Sequence, residues 1–122
     1  MENHYLALGQ QHLSAGDWVE AIRALAWAKD IEPDRAAIYL ALIDAYEKAA
    51  EAEGEPDLLH QAFNVCRDLR DRRLPMTAEQ RGDFYRAFIR IRDSVIAARR
   101  TGWRPPPPKE RVRELLGKPQ ER

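Results

Sequence analysis

Residues 5–33, YLALGQQHLSAGDWVEAIRALAWAKDIEP, decide the fold. Tyr5, Leu8 and His12, with Leu6, Gly9 and Leu13, recur at three- and four-residue spacing, the signature of one helical face. They predict a helix from about residue 2 to 14, which Ala15-Gly16 ends. Asp17, with Glu20 three residues on, reads as a capping box: one carboxylate accepts from orphan N–H groups while the other reaches back. A second helix then carries Trp18, Ala21, Ile22, Leu25, Ala28 and Ile31, and Pro33 stops it, because proline has no N–H to continue the ladder.

Working outward, the same periodicity continues to residue 100, with no sustained two-residue alternation anywhere. A third helix is expected from about Arg35, capped by Asp34, with the stripe Ile38, Tyr39, Leu42, Ile43 and Tyr46. Glu53-Gly54-Glu55 closes it, and Pro56 suits the first turn of a fourth helix. That helix reaches about Arg73 and is expected to bury Leu59, Ala62, Phe63, Cys66 and Leu69. Thr77 and Gln80 form another capping box, opening a long fifth helix to about Arg100. Phe84, Tyr85, Phe88, Ile91, Val95 and Ile96 give that helix a wide apolar face, and Gly102 suits its C-terminal cap. Pro105–Pro108 reads as an extended polyproline spacer. The basic amphipathic segment Lys109–Leu116 follows, able to dock weakly through Val112, Leu115 and Leu116.

An aromatic, leucine-glycine, tyrosine, then alanine, a second aromatic and proline, spread over about 34 residues, is the tetratricopeptide pattern. Residues 2–35 resemble that family. Tyr5 takes the first aromatic place, Leu8-Gly9 the leucine-glycine place, and His12 stands where tyrosine is usual. Ala21, Leu25, Ala28 and Pro33 complete the unit. Moving by one period brings Tyr5 to Tyr39, Leu8 to Leu42 and His12 to Tyr46, but Gly9 to Ile43. After Tyr46 the spacing breaks and the next helix arrives late, so 36–73 reads as a degenerate second repeat with a longer connection. The fold class is therefore all-α: a short α-solenoid of antiparallel helix pairs. Residues 1–102 form the helical domain, with residues 77–101 a helix that caps the stack, and 103–122 a proline-rich basic tail.

The resemblance implies that the first helix of each pair lines a groove for a partner. On this chain the lining is Asn3, Leu6, Gln10 and Leu13, joined by Leu40, Asp44 and Glu47. The basic clamp used by relatives that grip a C-terminal carboxylate is missing. An apolar groove with an acidic rim instead suits a helical or extended segment of another protein. The expected role is a non-enzymatic adaptor, assembly factor, scaffold or dedicated chaperone.

Composition narrows the alternatives. With 44% hydrophobic and 33% charged residues, the chain reads as a soluble globular protein of one domain. No apolar run reaches the ~20 residues of a membrane span, and no secretory signal opens the sequence. The single cysteine excludes an internal disulfide, which makes the cytoplasm the expected location. His4 and His12 lie more than two turns apart on one helix, and His60 has only Cys66 nearby, so neither a metal nor another cofactor is expected. No phosphate loop, nucleophile elbow or dinucleotide fingerprint supports an enzyme.

Net charge is zero, yet residues 1–57 hold four basic and twelve acidic residues while residues 58–122 hold sixteen and eight. Such a dipole allows copies of the chain to stack head to tail. It also gives the alternative function, nucleic-acid binding, with the arginines of the second half on phosphates and Trp103 stacked on a base. Interleaved Asp68, Asp71 and Asp93 argue against that alternative, since such charges neutralise the arginines locally.

Overall fold

The computed structural model describes residues 3–105. All regular structure there is helical: α1 (His4–Ala15), α2 (Trp18–Ile31), α3 (Ala36–Glu53), α4 (Pro56–Arg72) and α5 (Ala78–Arg100). Each helix packs on the next, and lighter contacts join α1 to α3 and α3 to α5. The result is a short repeat-like stack, with α1, α3 and α5 along one side. The expected proline spacer beyond Pro105 and the segment Lys109–Leu116 lie outside the described residues.

The core follows the apolar stripes. Ala21, Ile22, Leu25 and Ala28 are buried completely on α2, as are Ile38, Tyr39 and Ala45 on α3. Gly9 is buried on α1, where a Cβ would fall 2.5 Å from Leu25 Cγ. Glycine is thus what lets α1 and α2 approach so closely. Tyr5 stacks on Trp27 at 6.0 Å between ring centroids and closes one end of the pair, while Leu8 is half-buried. Tyr39 ties the two pairs together: its hydroxyl donates to the Pro33 carbonyl at 2.6 Å, and Lys29 and Arg72 lie over its ring. Leu42 and Tyr46 are buried beyond it.

Punctuation agrees with the sequence in some places and departs from it in others. Gly16 and Gly54 end α1 and α3 in left-handed backbone, and Thr77–Gln80 forms a complete capping box. Asp17 makes no side-chain cap. Gly16 has already turned the chain, Asp17 lies 3.6 Å from His12, and Glu20 accepts from Arg23 at 2.8 Å. Arg35, not Asp34, occupies the cap position of α3 and gives no side-chain bond. The extra residues of the second repeat are not a longer loop. They prolong α3 to 18 residues, against 12 in α1.

On α4 and α5 the expected apolar faces are too wide. Ala62, Cys66 and Leu69 are buried, but Leu58 and Val65 take the inner places, leaving Leu59 and Phe63 half-buried. Phe84, Ile91 and Val95 anchor α5, Phe88 is half-buried, and Tyr85 and Ile96 face outward. The chain just after α5 stays on the body. The Trp103 indole N–H donates to Asp57 at 2.7 Å, and its ring sits 5.8 Å from that of His60, latching the chain after α5 onto the start of α4.

Candidate functional site

A concavity runs between α3 and α5. One chamber, of about 330 Å³, is lined by Leu40, Ile43, Asp44 and Glu47 on α3 and by Asp83, Arg86, Ala87 and Arg90 on α5. A second, of about 390 Å³, continues along Ala50, Glu51 and Gly54 to Pro56 and Leu59, faced by Ser94 and Ala98. The six added residues of α3 create that second chamber, because they carry its wall past the point where a 12-residue helix would stop.

Glu47 and Arg90 lie between the chambers and line both. Their two parallel hydrogen bonds, at 2.5 and 2.7 Å, form the planar fork that guanidinium and carboxylate favour. Arg90 is more than half exposed, so the pair adds little stability. It links α5 to α3 across the trough. The floor is apolar, from Leu40, Ile43, Ala50, Leu59 and Ala87. The α3 wall is acidic through Asp44, Glu47 and Glu51, with Lys48 3.6 Å from Asp44. On the α5 wall Arg86 pairs with Asp83 at 2.6 Å.

Of the groove residues expected from sequence, Leu40, Asp44 and Glu47 lie here, and those on α1 do not. Asn3 is buried: its side-chain oxygen caps α1, while its Nδ2 donates to the Ala28 carbonyl and to Glu32 at 2.9 Å. The Asn3 bond is the leading cause holding the Glu32 carboxyl below its usual range, followed by Arg35 against the opposing effect of burial. Leu6 is only 5% exposed and belongs to the core. Leu13 is partly buried against that core, and Gln10 stands in solvent. Leu6 belongs to the core that α1 shares with its neighbours, so these α1 residues do not line the α3–α5 trough, whose second wall is α5. Asp83, Arg86, Ala87 and Arg90 were not foreseen. Their only sequence trace is a small residue, Ala87, set in a charged face.

Cys66 is a buried free thiol, pushed up to about 12 by burial and then by Glu47, and so is unreactive at neutral pH. His60, beside the Trp103 latch, is shifted down, first by burial and then by Arg67 and Arg99, with Asp57 opposing. Among the described residues no cluster of three His, Cys, Asp or Glu side chains is arranged to hold a metal ion. None of the described helices is long and apolar enough to cross a membrane. Comparison with protein-family profiles, curated proteins and solved structures finds no match.

Proposed function

We propose that the chain is a tetratricopeptide-like interaction module that holds a segment of another protein in the α3–α5 trough, as an adaptor, assembly factor or dedicated chaperone. One observation carries this reading: an open trough with an apolar floor and an acidic α3 wall. A guest helix or strand with one apolar face fills the floor, and its basic side chains meet Asp44 and Glu51. The guest must pass over the Glu47–Arg90 fork or displace it, so the fork contributes to selecting the guest. A cytoplasmic location goes with this reading, since the one thiol is free and buried.

Nucleic acid is the weaker reading. Arg70, Arg72, Arg86, Arg90 and Arg92 each lie within ion-pair distance of a carboxylate, and Trp103 is engaged by Asp57.

Affinity capture with the intact chain and three variants tests the proposal. Leu40→Glu and Ala87→Arg place charge on the trough floor, while Ala26→Arg changes an exposed position on α2. A true guest is lost from the first two and kept by the third, with helical content unchanged in all. Retention by Leu40→Glu and Ala87→Arg would refute the trough as the binding site. A random oligonucleotide retained at low salt and released as salt rises would favour the nucleic-acid reading instead.

A further inference from the structure

The trough repeats along its own length. On α3, Leu40, Ile43 and Asp44 line the first chamber, and Glu47, Ala50 and Glu51 line the second, each seven residues further on. On α5, Asp83 and Ala87 are followed by Arg90 and Ser94 at the same interval. Residue numbers rise together along both walls, so the two helices run parallel beside the trough. Two helical turns therefore separate equivalent places in the chambers, ~10.5 Å at ~1.5 Å per residue. The Glu47–Arg90 fork stands between them.

Given the trough as the binding site, as proposed above, this interval selects the backbone of the guest. An α-helix returns a side chain to the same face every seven residues at the same rise, so anchors at i and i+7 fall one in each chamber. A strand does not match: side chains on one of its faces recur at ~6.6 Å and ~13 Å. Charge selects the remaining side chains. Carboxylates outnumber guanidiniums along the lining, and Arg86 and Arg90 are already engaged by Asp83 and Glu47. Asp44 meets Lys48 at 3.6 Å, in an exposed pair that is worth little, and Glu51 is exposed. These two carboxylates lie one beside each chamber, again seven residues apart.

We propose that the guest of the trough is a basic amphipathic α-helix of a partner protein, with large apolar side chains at i and i+7, one in each chamber. Lysine or arginine beside each anchor meets Asp44 and Glu51. A small side chain at i+3 or i+4 lies over the Glu47–Arg90 fork. Extended peptides fail on spacing, and acidic helices fail on charge.

Fluorescence anisotropy of labelled alanine–lysine peptides of about 20 residues, long enough to form helix in water, tests this against the full-length chain. A peptide with two leucines seven apart should bind about tenfold tighter than one with two leucines four apart, because the latter leaves one chamber without an anchor. A proline at the centre of the first peptide, or glutamate for every lysine, should abolish its binding, as should Leu40→Glu or Ala87→Arg in the protein. Equal affinity for the two spacings, lost in Leu40→Glu, would overturn the helical register and leave the trough as the binding site. Binding kept by the proline peptide would mean an extended guest, and binding kept by the glutamate peptide an acidic one; either overturns the proposal. Binding that survives both Leu40→Glu and Ala87→Arg lies elsewhere and overturns the trough reading as well. If no peptide binds while the intact chain still captures a guest that Leu40→Glu releases, the helix is overturned and the trough stands.

Discussion

Between α1 and α2, a glycine lets two helices touch so closely that a single added methyl group would collide with Leu25. Between α3 and α5, a charged fork links the helices and two open chambers share its residues. Both junctions use amphipathic helices of ordinary composition, so hydrophobicity alone does not separate the closed junction from the open one. The difference lies in the size and charge of the side chains at the crossing. A residue without a side chain lets backbones come together, whereas two long paired ones can meet across a gap that shorter apolar neighbours leave open.

The harshest way to break this contrast is Phe84→Ala. Phe84 is 2% exposed and packs α5 against the body with Phe88, 5.6 Å away between ring centroids. Loss of about 3–5 kcal/mol in urea unfolding is expected, together with loss of guest binding, since the trough loses a wall. If binding survives, α5 is not a wall.

Gly9→Ala tests the closed junction. Alanine is the better helix former by about 1 kcal/mol, yet the collision with Leu25 should outweigh this, with a net cost of about 1–3 kcal/mol. Gly9→Ala made in a Leu25→Ala background should recover most of that cost. A neutral or stabilising Gly9→Ala would show that α1 rides free of α2.

A smaller pair compares two helix starts that look alike in sequence. Thr77→Ala removes an observed capping box and should cost about 1 kcal/mol. Asp17→Ala removes a side chain that caps nothing and should stay within about 0.5 kcal/mol. Equal losses would mean that Asp17 caps α2 in solution.

The least effect is expected from pH, at the latch between α4 and Trp103. His60 has a folded-state pKa below its unfolded value of about 6.5. The unfolded chain therefore takes up this proton first. The histidine's contribution is intact above that value, and stability falls as pH drops from there toward the folded pKa. Chemical denaturation at a series of pH values should show a slope across that window that His60→Gln flattens; an unchanged slope would assign it to other groups.

Most of the helices were legible because their causes are local. Gly16, Pro33, Gly54, Pro56 and the Thr77–Gln80 box act within a turn or two, and the boundaries fall where those residues place them. Where reading along the chain failed, the deciding contact was distant. Asp17 carries the right spacing for a cap, but Gly16 and His12 engage the backbone and the carboxylate first. Asn3 looks like a groove residue until Ala28 and Glu32 claim its amide. Leu58 and Val65 exchange places with Leu59 and Phe63 because α5 approaches α4 from a direction that α4's own sequence does not specify. Of the candidate site, only the α3 wall was legible.

Taken alone, the sequence settled five helices, their order and most of their ends, since hydrogen-bond caps and turn residues operate over a few positions. Tertiary structure decided which helix faces are shared: that Leu6 of α1 enters the core, that Glu47 and Arg90 meet across α3 and α5, and that Trp103 stays with the body. Those outcomes depend on side-chain size and charge meeting across dozens of residues, and periodicity along one helix carries no information about the helix it will meet.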